Sequence, residues 1–280
     1  MDVQERIRLA HTSHGEELWN LVRDPHPAVI SGVTLNRNLT EEMAVFIAKK
    51  KSSPAEALGL LANDIRFKDS YKLKVALCKN PKTPQKITFS LLKFLKIFDL
   101  GDMTRDQGIP VNIRQKIEYL ISEKIPSMPS GNKIALSKRV NSNIVIALME
   151  RGDEKVISSC LESPALTEGH LCKIINKPAT KAVLIKNIAE HPKWSLRYDI
   201  KFALIRNFHT SMVHAVRFIG EMKTADLREL YSDEGVPSST KPYIYRELLE
   251  RDETIEPEKE EIYELPDNEE AGAADTDNGT

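Results

Sequence analysis

Only three cysteines occur in 280 residues. Cys78, Cys160 and Cys172 are odd in number and lie in apolar patterns of helical spacing. That excludes a disulfide-stapled secreted fold and predicts buried thiols in a reducing, cytoplasmic setting. Long apolar runs are also missing. The longest stretch, Ile144 to Met149, falls far short of the ~18 residues a membrane helix needs, so no membrane association is expected. The opening residues lack a basic region followed by an apolar stretch, and no secretion signal is expected. No Gly-rich phosphate loop, nucleophile elbow or His-Glu-x-x-His pattern occurs, and the seven histidines form no ligand spacing with the cysteines. The expectation is a protein that is not an enzyme, with no catalytic residue, no metal and no cofactor. Strict alternation of apolar and polar residues with hairpin turns is absent as well, which removes a sheet fold from contention.

What the sequence does contain is itself, twice, at a shift of 127 residues without a gap. Val29-Ile30-Ser31 returns as Val156-Ile157-Ser158, and Leu39-Thr40-Glu41 as Leu166-Thr167-Glu168. Ala76, Leu77, Asn80 and Thr83 return as Ala203, Leu204, Asn207 and Thr210. The turn Asp106 to Pro110 returns as Asp233 to Pro237. Identity between the copies is about 23%, and a fixed period of this kind constrains architecture more than any local pattern. Two homologous lobes are expected, at 1–124 and 128–251.

Local signals are helical. Ile87, Leu91, Phe94, Leu95 and Phe98 form an apolar stripe at i, i+4, i+7, i+8 and i+11. In the first copy the patterns predict helices near 13–23, 26–36, 40–51, 54–63, 69–79, 84–98, 100–105 and 111–124. Thr83-Pro84 and Ser53-Pro54 read as an N-cap hydroxyl before a first-turn proline. Ser13-x-x-Glu16 reads as a capping box, and Thr40 as a cap with acids behind it. Asn80, Asn207, Gly108 and Gly235 read as left-handed closures, and Asp99 and Asp226 as N-caps. Short helices with tight turns must stack on neighbours to bury their stripes. The fold class expected is therefore all-α, an α–α superhelix or solenoid.

A net charge of −1 conceals a division. Residues 252–280 hold twelve acids against Lys259, which leaves 39 bases and 29 acids in residues 1–251. A composition so acidic and poor in apolar side chains predicts a disordered tail, and such a tail could fold back on the basic body. Positive charge is retained in both copies at Arg6/Lys133, Lys50/Lys177, Arg66/Lys193, Lys74/Lys201, Lys79/Arg206, Lys96/Lys223 and Arg114/Lys241. The densest basic stretches are Lys49-Lys50-Lys51 and the series Lys72, Lys74, Lys79, Lys82, Lys86.

The corner Asn80-Pro81-Lys82-Thr83-Pro84, preceded by Val75-Ala76-Leu77-Cys78-Lys79, resembles the leucine-rich-repeat variant unit, a HEAT-like two-helix repeat. Ala203 to Ser211 is a version without the prolines. The resemblance implies a curved helical scaffold that binds other macromolecules, a protein or peptide first. The likeness to HEAT-like DNA glycosylases keeps nucleic-acid binding, with a role in DNA repair, as the alternative, through the basic face of the body. The candidate binding residues are the recurring basic–aromatic pairs Arg66-Phe67 and Lys193-Trp194, with Lys74, Lys79, Lys201 and Arg206. The competing reading of the aromatics is a hydrophobic wedge at a helix entry.

Overall fold

The computed structural model describes residues 1–251, and among them every regular element is helical. The first copy supplies α1 (Val3–Thr12), α2 (Gly15–Val22), α3 (Pro27–Thr34), α4 (Glu41–Lys49), α5 (Ala55–Asn63), a 3-10 turn (Ile65–Phe67), α6 (Tyr71–Lys79), α7 (Gln85–Leu92), α8 (Ile97–Arg105) and α9 (Val111–Lys124). The second supplies α10 (Ser130–Ser137), α11 (Ser142–Arg151), α12 (Glu154–Leu161), α13 (Glu168–Ile175), α14 (Ala182–Glu190), α15 (Tyr198–Ile205), α16 (Met212–Gly220), α17 (Thr224–Ser232) and α18 (Lys241–Glu250). Eight of the first nine helices begin 127 residues before the first residue of another; α9 and α18 break the rule. The disorder and fold-back expected of 252–280 lie outside the described residues.

Helices of 8 to 14 residues are marginal alone in water and depend on packing. Their main contacts are with helices one or two places along the chain, α1 on α3, α4 on α6, α10 on α12, α13 on α15. Buried side chains form two clusters, one from Ala10 to Leu77 and a larger one from Cys78 to Leu248. The larger cluster contains Ile121, Ile125, Leu136 and Val140, so the core runs unbroken through the junction of the sequence copies. Gly101 on α8 makes that junction tight: a Cβ there would sit 2.8 Å from the Leu136 side chain.

The turns differ from the sequence reading in instructive ways. The Ser53 and Thr83 hydroxyls do not cap the next helix. Each donates backward to the carbonyl six residues earlier, Ser53 to Ile47 and Thr83 to Leu77, both at 2.7 Å. Thr180 and Thr210 do the same to Ile174 and Leu204. Asn80 is extended rather than left-handed, at φ −84°. Its amide donates to the carbonyls of Ala48 at 2.8 Å and Lys50 at 3.1 Å, and its oxygen accepts from the Lys82 N–H. Asn207 binds Ile175 and His209 in the same way, and Asn36 ties α3 to Ala10 and Ser13. These buried amides satisfy helix-end carbonyls that water cannot reach. Gly15 is the described glycine with positive φ; Gly108 and Gly235 instead leave room for an Asp two residues earlier to accept their N–H groups.

The stripe from Ile87 to Phe98 is not one helix. α7 ends at Leu92, and a turn at residues 93–96 separates it from α8. The Lys96 N–H, which a continuous helix would use internally, is taken by the Tyr71 hydroxyl at 2.9 Å. That hydroxyl donates to Asp99, inside the first turn of α8 rather than at its cap. Tyr198, Lys223 and Asp226 repeat the clamp. Ser13 forms no capping box; its hydroxyl is buried without a partner, and His14 precedes α2. Thr40 does cap α4, accepting from the Met43 N–H.

Candidate functional site

Tracing each candidate residue shows most of them occupied. Arg66 reaches back to the end of α3, donating to the Asn36 carbonyl at 2.8 Å and the Arg37 carbonyl at 3.1 Å. It also binds Asp64, whose carboxyl it holds below the usual carboxylate range. Phe67 and Trp194 both point into the core, and the Trp194 indole N–H donates to the Leu161 carbonyl at 2.8 Å. A buried indole needs such a partner. Lys193 lies over the Trp194 ring, 4.1 Å from its centroid. Lys201 is buried at 7% exposure and ion-paired to Glu221. Arg206 pairs with Asp233 at 2.7 Å. Lys74 sits over the ring of Phe94, 5.2 Å from its centroid. The structure therefore does not gather these eight into one surface.

One of them, Lys79, opens onto a cleft of about 500 Å³ between α4, α6 and α8. Its floor is apolar, made by Val45, Ala48, Val75 and Ala76. Lys49, Lys51, Lys72 and Lys79 stand at its margin, all exposed, and Asp99 and Asp106 face it from α8 and the turn after it. None of the four ammonium groups has a hydrogen bond or ion pair among the described residues. The Tyr71 side chain lines the same cleft, its hydroxyl raised above the ordinary tyrosine value by burial and by donation to Asp99.

A cleft of about 480 Å³ lies in the corresponding region of the second copy, lined by Lys177, Phe208 and Gly235 and by five residues with counterparts at the first cleft, Ile175, Asn176, Pro178, Arg206 and Asn207. These are the positions of Ala48, Lys49, Lys51, Lys79 and Asn80 shifted by 127. Backbone scaffolding is shared, but charge is not. The first cleft has four lysines against two aspartates, a formal +2. The same six positions in the second copy hold Asn176, Pro178, Asp199, Arg206, Asp226 and Asp233, a formal −2, but only Asn176, Pro178 and Arg206 of them line its cleft, beside Lys177. The pairing differs as well. Lys79 and Asp106 make no ion pair, whereas Arg206 and Asp233, their counterparts, do. Lys74 meets an aromatic ring where Lys201 meets the carboxylate of Glu221.

Of the retained cations, Lys79 lines this cleft. Most cations present in both copies hold the fold: Lys50 donates to the Asp24 carbonyl at 2.8 Å, Arg6 pairs with Asp24, and Lys133 is buried. Lys49, Lys51 and Lys72, which have no cationic counterpart, are left uncommitted, as is Lys79, whose counterpart is Arg206. Their divergence between copies was visible in the sequence as a signal. Their convergence on one cleft was not, because it depends on α4 packing against α6. Among the described residues no cluster of His, Cys, Asp and Glu could hold a metal ion, and no helix is long and apolar enough to cross a membrane. No family model, curated protein or solved structure matches this chain.

Proposed function

We propose that this chain is a non-enzymatic helical-repeat scaffold that binds a protein or peptide partner in the cleft of its first copy. The observation that carries this reading is the contrast between two clefts in equivalent places: four lysines without a partner among the described residues stand at the first, whereas the cations lining the second, Lys177 and Arg206, are paired with Glu150 and Asp233. An apolar floor ringed by uncommitted cations suits a ligand that inserts a hydrophobic side chain between carboxylates. Local helix-on-helix packing and the 127-residue recurrence of helix starts support a HEAT-like solenoid of two tandem lobes, 1–124 and 128–251. The reading places the protein in the cytoplasm, where the buried, unpaired thiols suit a reducing medium.

Affinity capture from cell extract with the full chain, beside Lys49→Glu/Lys79→Glu, tests the reading. Proteins retained by the wild type and lost from the charge-reversed variant are expected. A gel-shift titration at two salt concentrations tests the nucleic-acid alternative, since phosphate contacts weaken steeply with salt. Tight, salt-sensitive duplex binding that the same double variant abolishes would overturn the peptide reading.

A further inference from the structure

The first cleft needs an acidic occupant with an apolar anchor, and the chain carries one. Among residues 252–280 the largest apolar side chains cluster at Ile262, Tyr263 and Leu265, set among Glu258, Glu260, Glu261 and Glu264. We propose that segment 258–265 docks in the cleft between α4, α6 and α8, as a built-in ligand that an external partner must displace. This rests on reading the cleft as a peptide site.

Three observations favour this pairing. Charge is complementary: four carboxylates and Lys259 on the segment face a cleft with a formal +2. The lysines at the margin have no partner among the described residues, so binding them breaks no contact seen there. The floor of Val45, Ala48, Val75 and Ala76 offers an apolar surface that charge alone does not need, and Ile262 or Tyr263 can bury area against it. The second cleft lacks the same attraction, because the cations that line it, Lys177 and Arg206, are already paired with Glu150 and Asp233. Attachment to the same chain raises the local concentration of the segment above that of a free peptide when the geometry permits contact.

Zero-length carbodiimide cross-linking of the full chain tests the proposal, since it joins a carboxylate to an amine only at ion-pair distance. Links from Glu260, Glu261 and Glu264 are expected to concentrate on Lys49, Lys51, Lys72 and Lys79. Ile262→Ala/Tyr263→Ala keeps every charge and should lower those links about fivefold, while links to other lysines stay constant. Links spread over the body's lysines according to exposure overturn the proposal. So does a pattern indifferent to the double alanine variant, which would mean diffuse attraction without a site. A cleft that captures its partner through Lys49 and Lys79 but never cross-links to the segment leaves the binding function standing and removes only the built-in ligand.

Discussion

The two clefts share their frame and differ in their chemistry. Tyr71 and Tyr198 clamp the start of the following helix in the same way, and Asn80 and Asn207 close the same turn. Upon that frame, the second copy converted its cations into structure: Lys201 into a buried pair with Glu221, Arg206 into a pair with Asp233. In the first copy Lys74 is partly buried over the ring of Phe94, itself 56% exposed, and Lys79 is exposed with no partner among the described residues. On the proposed reading, one copy is committed to packing and the other is available for binding. Conserved geometry reports the scaffold, and divergent charge reports the use.

Breaking the shared frame should produce the largest effects, and similar ones in both copies. Trp194→Ala is expected to cost about 4 kcal/mol and Phe67→Ala about 3, read from urea unfolding. A cost below about 1 kcal/mol at either position would mean that the aromatic wedges do not bear on the core. The copies should then separate at the next pair. Glu221→Ala strands the buried Lys201 ammonium and should cost about 2 kcal/mol, reduced from a fully buried pair because Glu221 is half exposed. Phe94→Ala, at the matching position, should cost less than about 1 kcal/mol. Equal losses would erase the distinction between a committed and an open site.

A smaller effect should appear at His214, which occupies the place of Ile87 and has no hydrogen-bond partner at either ring nitrogen. Burial, with Arg217 nearby, lowers its pKa below the ordinary histidine value, against a weaker opposing pull from Glu190. The folded state therefore binds its proton less readily than the unfolded chain. The corresponding stability is complete above about pH 6.5 and is lost as the pH falls toward the folded pKa. His214→Ile should accordingly stabilise more at pH 5.5 than at pH 8, measured as urea midpoints. The same gain at both values would show that the imidazole is not desolvated.

The smallest perturbation is chemical labelling. Cys78 and Cys160 are buried, their thiols pushed up to about 12, whereas Cys172 is half-buried at the position of Val45 in the first cleft. A thiol reagent should modify Cys172 first and reach the other two only on unfolding. Labelling Cys172 alters the second copy alone and should leave acidic-peptide binding unchanged. Loss of binding on labelling would move the site to the wrong copy.

Much of the frame was legible from the chain. The repeat places eight helix starts in register, and apolar spacing marks most helices of the first copy. The break after Leu92 was not legible, because the stripe continues through it while the Tyr71 hydroxyl removes a backbone donor from helix use. Nor was the turn chemistry. Thr83 before Pro84 has the residue types of an N-cap, yet the nearest unsatisfied group in space is the Leu77 carbonyl behind it. The cleft was half legible. Lys49, Lys51, Lys72 and Lys79 stand out as dense basic stretches, but only the packing of α4 on α6 separates them from Lys50, Lys74 and Lys82, which point elsewhere.

The central claim is that the first cleft binds acidic peptide and the second does not. A fluorescein-labelled peptide with the sequence of residues 256–267, titrated into the full chain by anisotropy, tests it directly. Lys49→Asn/Lys72→Asp, which installs the second copy's residues in the first cleft, should weaken binding about tenfold or more, and Arg206→Gln should change it less than about twofold. Equal weakening by both variants, or by neither, would contradict the account.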